Sequence, residues 1–294
     1  MGKTVRMISS DGFIAASAID ATDIVQRAHE IHGTSHTASA ALGRVLAVTS
    51  LIGGGLKVDG GSVTVRFDGD GAGGRIIAVA ASDGAVRGWV ERPMVDLERR
   101  EDGKLDVGSF VGHEGSLTII KDLGMRDPYV GTVGLVGGEV AEDIAGYFVE
   151  SEQIPTACAA GVLVAPDGSI LSAGAYLVQL LPGAGEDVVD KLERAIVGAG
   201  AVTKLFSAGN GPEAILRTLL DGFDPIKLDE YDTPYRCDCS LERVERALVS
   251  TGKAALQEMI EKDRGAEVTC QFCDKVYRFT SENLAELLKR ATRD

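Results

Sequence analysis

Cys237-Asp238-Cys239 and Cys270-Gln271-Phe272-Cys273 are the two stretches that decide how this chain reads. Four soft thiolates in two close pairs, 30 residues apart (240–269), make the sequence pattern of a structural zinc site. Its ligands would be Cys237, Cys239, Cys270 and Cys273. The Cys-x-Cys half is unusual, because two intervening residues are what usually let a tight turn present both sulfurs to one metal. One residue still permits ligation, and it also lets the two sulfurs meet once the metal leaves. A ring that small is strained, and strained or exposed disulfides are the labile ones. Spacing alone leaves two readings open: a metal site that oxidation undoes, and a purely structural zinc ribbon. Four small buried hydrophobes would not account for the paired spacing.

Composition sets the frame around that tail. A chain of 294 residues accommodates about two domains. At 45% hydrophobic and 25% charged it can build a sizeable core. The formal net charge of −14 counts against nucleic-acid binding through a general basic field. Residues 1–234 carry 19 Lys+Arg and 33 Asp+Glu, whereas residues 235–294 carry 11 of each and are neutral. No stretch reaches the roughly 18 consecutive apolar residues of a membrane span, and no secretory signal is apparent at the N-terminus. A cytoplasmic protein is expected. In that reducing compartment, clustered cysteines form metal or redox sites rather than permanent disulfide frameworks.

The pattern predicts an α+β protein in three parts. Residues 1–180 read as a mixed strand and helix body, 181–234 as an amphipathic helical linker, and 235–294 as a small zinc-binding redox module. In the body, Ser62–Asp68 alternates cleanly, with Val63, Val65 and Phe67 on one face. Further strands are expected over 4–9, 12–17, 74–81, 85–90, 116–121 and 131–135. His36–Ile52 reads as a helix with Thr37 as its cap, stopped by Gly53-Gly54-Gly55, and a second helix covers 139–152. Pro166-Asp167-Gly168 joins two apolar strands as a hairpin turn. In the linker, Val189, Leu192 and Ile196 share one face of a helix over 186–197. Ile215, Leu216 and Leu219 share one face of another over 212–220. Residues 221–236, with Pro225, Pro234 and three acidic residues in 229–232, read as a linker. In the tail, Ser240 and Thr280 can each cap a helix, and Lys253–Glu261 reads as another.

Other motifs carry less. Cys158, in Thr156-Ala157-Cys158-Ala159-Ala160, reads as an inert core cysteine. His29, His32 and His36 lack a His-Glu-x-x-His arrangement, so hydrogen-bonded structural roles are expected. The glycine runs at 53–55 and 69–74 precede no Gly-Lys-Ser/Thr, which leaves turn geometry as their account. No Ser/His/Asp set is legible, and no enzymatic activity is expected.

Three stretches of the body, His36-Thr-Ala-Ser-Ala-Ala-Leu-Gly-Arg44, Lys121-Asp-Leu-Gly124 and Ser151-Glu-Gln-Ile-Pro155, join the cysteine pattern in a resemblance. The whole chain resembles the bacterial redox-regulated holdase chaperones, the 33-kilodalton heat-shock protein family. The resemblance implies one zinc ion on the four cysteines and a quiet monomer in the reduced state. It implies that peroxide or hypochlorous acid, with mild unfolding stress, pairs Cys237 with Cys239 and Cys270 with Cys273 and releases zinc. The tail and linker would then unfold, the chain would form a homodimer, and unfolding client proteins would be held without ATP. By position, Val189, Leu192, Ile196, Ile215, Leu216 and Leu219 are the candidate client contacts. Partners of nucleic-acid or membrane type are not expected. The alternative is a constitutive structural zinc-ribbon protein that binds a protein or nucleic-acid partner; the −14 charge counts against nucleic acid. A zinc hydrolase is the weakest reading, because four Cys ligands leave no coordination position for water.

Overall fold

His36–Gly54 has no polar stripe, and a helix that is apolar all round has to be covered all round. In the computed structural model, which describes residues 1–291, this segment is helix α2, following the shorter α1 (Thr22–His32). Seventeen of the 19 residues of α2 are buried. By length and composition alone it passes for a membrane span, but here it is the central element of a water-excluding core. Its N-cap is Ser35 rather than Thr37: the Ser35 hydroxyl accepts from the Ala38 N–H at 3.1 Å. Thr37 is instead buried, donating its hydroxyl to Asp96 at 2.7 Å.

Two antiparallel five-stranded sheets cover α2. The first contains β1 (Gly2–Ile8), β2 (Ile14–Asp20), β8 (Thr156–Val164), β9 (Ile170–Leu180) and β10 (Ile226–Thr233), in the order β10-β1-β2-β9-β8. The second contains β3 (Ser62–Gly69), β4 (Ile76–Ala81), β5 (Val86–Val90), β6 (Gly115–Asp122) and β7 (Tyr129–Gly134), in the order β5-β4-β3-β6-β7. One core cluster joins Val63, Val65 and Phe67 to α2, and α2 to Ala173, Ala175 and Leu177 of β9. The opposite face of β9 sends Tyr176 and Val178 into a second cluster with Val5, Met7 and Ile14. A strand buried on both faces is near-continuously apolar, as β9 is in sequence.

That second cluster is closed by α5 (Glu186–Ala199), α6 (Val202–Ser207) and α7 (Pro212–Leu219). Leu192, Ile215, Leu216 and Leu219 are buried there, and Val189 and Ile196 are partly buried. Full burial of a Leu or Ile is worth about 1.5–3 kcal/mol, so α7 is held by its three apolar side chains. The approach is close: a Cβ on Gly174 would stand 2.3 Å from the Phe206 ring of α6.

Residues 181–234 are therefore not an independent connection. They belong to a first compact unit, Met1–Arg236, and a second unit begins at Cys237. Within the stretch read as a linker, Ile226–Thr233 forms β10, an edge strand on β1. Its exposed residues mix Ile226 and Leu228 with Lys227, Glu230 and Asp232, so no clean apolar alternation marks it, and charge is a common device for blunting an exposed edge. Lys3 pairs with Glu230 at 2.5 Å and Arg6 with Asp229 at 3.4 Å. Lys227 and Lys3 pull the Glu230 carboxyl down to about 2. Beyond the strand, Val86 N–H donates to the Pro234 carbonyl and Arg236 N–H to the Val86 carbonyl, at 3.1 and 2.9 Å. The same short run of chain thus borders both sheets.

The three body stretches that carry the resemblance meet around α4 (Ala141–Ser151). Arg44 pairs with Glu139 ahead of the helix at 2.6 Å, and Lys121 pairs with Glu152 just after it. Asp143, fully buried, accepts backbone N–H groups from Val136, Gly137, Gly138 and Val140 at 2.7, 3.1, 3.4 and 3.0 Å. The carboxylate holds a strained corner, since Val140 has φ 64° and β-branched residues avoid that region. Asp143→Ala leaves these donors without their acceptor; we expect a loss of about 4 kcal/mol, or roughly 10 °C in Tm, by calorimetry. A melt within 2 °C of the parent would contradict this account.

Two further helices, α1 and α3 (Val107–Val111), and the six-residue α6 carry no strong sequence signal: α1 has no side-chain cap, and the others are too short for periodicity. The second unit comprises α8 (Leu241–Ser250), α9 (Lys253–Glu261), the hairpin β11 (Gly265–Thr269) and β12 (Val276–Thr280), and α10 (Ser281–Ala291). Ser240 caps α8 and Thr280 caps α10 through Asn283, as their positions predict. Its core is small: Leu248, Leu256, Tyr277, Phe279, Leu284 and Leu287.

Candidate metal centre

The hairpin β11–β12 and the run into α8 bring the cysteines together. Cys270 follows β11, and its N–H donates to the Lys275 carbonyl at 3.0 Å, which closes the turn carrying Cys270 and Cys273. Cys237 and Cys239 lie just ahead of the Ser240 cap, where Asp238 pairs with Arg243 at 2.7 Å. All four sulfurs lie within 4.8 Å of one another, and all four residues are partly buried. Cys237 Sγ is 3.7 Å from Cys270 Sγ, and Cys239 Sγ is 3.5 Å from Cys273 Sγ. A tetrahedral ion with metal–sulfur bonds of about 2.3 Å places its ligands about 3.8 Å apart. The observed edges match that spacing, and the five cysteines of the chain are all free thiols. The donor set and its dimensions fit a four-coordinate metal with a closed coordination sphere.

Electrostatics points the same way. Burial pushes the Cys237 and Cys273 thiols up, and neighbouring cysteines add to the rise. Burial also raises Cys239, but the Tyr277 hydroxyl and the adjacent thiols outweigh it and hold this group below its ordinary value. Like charges this close cannot all ionise unless a cation lies between them. A divalent ion supplies that condition. Backbone N–H groups of Cys239 and Lys275 donate to Cys237 and Cys273, partly offsetting charge on those sulfurs.

One member of the site was not legible as such. Tyr277 reads in sequence only as part of a strand after the last cysteine. The alternation of β12 turns Tyr277 and Phe279 inward, and the Tyr277 hydroxyl donates to Cys239 Sγ at 3.2 Å. That contact pushes the phenol up to about 12. The period-2 spacing back from Phe279 was the available signal.

The remaining candidates stay out of the centre. Among the described residues, no other group of three or more His, Cys, Asp or Glu gathers closely enough to hold an ion. His29 Nδ1 bonds with Thr34 and Ser39, His32 Nε2 with the Gly88 carbonyl, and His36 Nδ1 with Asp96. Cys158 packs on β8 against the main core, where burial pushes its thiol up. Five of the six apolar residues of α5 and α7, Leu192, Ile196, Ile215, Leu216 and Leu219, lie in the second core cluster or at its margin; on α5 it is Val188 rather than the partly buried Val189 that packs against it.

Known proteins resemble the chain along its length. The family model described as Hsp33 protein matches residues 2–280. A 33 kDa chaperonin of Clostridium perfringens is 44% identical over 289 residues, covering 98% of this chain and 91% of that protein. The 33 kDa chaperonin of Clostridioides difficile is 44% identical over 285 residues, covering 97% and 98%. The crystal structure of the 33 kDa chaperonin (Heat shock protein 33 homolog) of Thermotoga maritima superposes with a TM-score of 0.91 at 33% identity, covering 99% of both chains. With this fold, this cysteine geometry and these relatives, the chain belongs to the Hsp33 family of chaperones.

Proposed function

We propose that this protein is a redox-regulated, ATP-independent holdase, quiet while its four cysteines are reduced and hold one zinc ion. The observation that carries the reading is the gathering of four thiols in a module whose own core is six side chains. Zinc, when bound, supplies the positive charge that lets four thiolates coexist and roughly 10–16 kcal/mol of folding energy. An oxidant of the peroxide or hypochlorous acid class removes the electrons. For each pair, two thiolates and one hydrogen peroxide give one disulfide and two hydroxide ions. The pairs we assign, after the family resemblance, are Cys237–Cys239 and Cys270–Cys273.

Without its metal the module 235–294 is too small to stay folded. The unfolded tail then begins a few residues after β10. Residues 181–234 are the responsive segment: α5 buries only Leu192 fully, and low-burial elements open first. Opening uncovers Val189, Leu192, Ile196, Ile215, Leu216 and Leu219 together with the Val5, Met7, Ile14, Tyr176 and Val178 surface beneath. These apolar faces are what an unfolding client would meet. Because α7 is held by its own burial, mild heat has to accompany the oxidant. The oxidised chain acts as a homodimer in the cytoplasm, binding unfolding proteins rather than nucleic acid or membrane, and it catalyses no reaction.

The test couples zinc release to suppression of client aggregation, before and after peroxide at mild heat. Both signals should rise together in the parent and in Cys158→Ser, and fall again with dithiothreitol and zinc. A Cys237→Ser, Cys270→Ser double variant should show neither gain. If it responds like the parent, the switch is elsewhere.

A further inference from the structure

We propose that Tyr277 is a positioning residue of the metal centre, a latch that ties one ligand pair to the other through a hydrogen bond to Cys239. The inference rests on the reading of the four cysteines as a metal site and adds a residue outside the ligand set. Tyr277 is 6% exposed and sits in the small core of the second unit, opposite Val268 in the hairpin that carries Cys270 and Cys273. Its hydroxyl does not point to solvent or to its own hairpin; it donates to Cys239, a ligand of the other pair, at 3.2 Å. The Lys275 ammonium lies 5.0 Å from the centre of its ring and draws on the ring's electron density, which makes the hydroxyl a better donor. The contact can do two things. It fixes the side chain of Cys239 toward Cys273, and it occupies a sulfur lone pair that would otherwise be free to attack an electrophile. Outer-shell partners of this kind typically change metal affinity by 10–100-fold.

Tyr277→Phe removes the hydroxyl and keeps the ring. In the full chain, competition with a chromogenic chelator under reducing conditions should show zinc affinity reduced about tenfold. The sulfur-to-metal charge-transfer band of the cobalt-substituted chain should shift, and peroxide should release zinc several times faster. Tyr129→Phe, which loses a hydroxyl contact with Ser151 in the first unit, should match the parent in all three readouts. Tyr277→Leu separates packing from hydrogen bonding, because it loses the ring as well. The proposal requires that the Phe variant lose affinity. An unchanged chelator curve and cobalt spectrum in Tyr277→Phe, with loss confined to Tyr277→Leu, would overturn it and leave Tyr277 a core residue. The chelator and cobalt measurements involve no oxidant. A parent that ignores peroxide would sink the redox reading while those two measurements still decide the role of Tyr277.

Discussion

Stripping the metal from the reduced chain is expected to unfold residues 237–291 at ambient temperature while the Met1–Arg236 unit keeps its melting transition. The second unit spans about 55 described residues and fully buries six large apolar side chains. A core of six side chains is too small to hold a module of this size without a further stabilising element. Its ion pairs are exposed and add little: Arg246–Glu242, Lys262–Glu258 and Arg278–Glu267 all lie at the surface. The expected signature is the loss of α8, α9 and α10 from the far-ultraviolet spectrum and the collapse of the tail's amide dispersion in NMR. Re-addition of zinc with a reductant should restore both. Retention of the dispersed tail resonances in the metal-free chain would mean that the module folds on its own core. Oxidation would then lack a route to unfolding.

A second large effect is expected at Leu216, which is fully buried where α7 meets the first sheet. Leu216→Asp places a carboxylate among Val5, Met7, Ile14 and Tyr176 with no partner, a cost of at least about 4 kcal/mol. Together with the lost burial of Leu216 itself, about 1.5–3 kcal/mol, that outweighs the roughly 3–6 kcal/mol from Ile215 and Leu219, so α7 should leave the sheet. The reduced, metal-loaded variant should then suppress client aggregation without peroxide, and bind a hydrophobic dye as the parent does only after oxidation. Thr218→Asp, on the exposed side of the same helix, serves as the control and should stay quiet. A Leu216→Asp chain that keeps its zinc and its sheet spectrum yet remains inactive would exclude the α7 surface as a client site.

The centre was legible because its information is local. Cysteine spacing names four candidate ligands without any knowledge of the fold, and the clean alternation of Val63, Val65 and Phe67 names a strand and its buried face. The helices of residues 186–197 and 212–220 likewise announce themselves by periodicity. What sequence did not disclose has a common cause. Strand β10 is stabilised by a partner more than 200 residues away, with Thr4 and Thr233 hydroxyls 2.8 Å apart, and its exposed residues mix charges with Ile226 and Leu228, a pattern that reads as connection. Thr37 has the chemistry of a cap but is buried under Asp96, a partner 59 residues on, so Ser35 caps α2 instead. Nothing in the sequence sets Asp143 apart within the expected helix, whereas the fold makes it the buried acceptor for four backbone donors.

The sequence by itself determined the candidate ligand set, the α+β character and the family, because each rests on residue types at short, fixed separations. Only the tertiary structure decided that residues 181–236 are built into the first unit and that the sulfurs approach to tetrahedral spacing. It alone decided that Tyr277 reaches across to Cys239. These are contacts between segments whose separation along the chain carries no record of their distance in space. They are settled by which apolar faces can be buried together and which polar groups must then find partners.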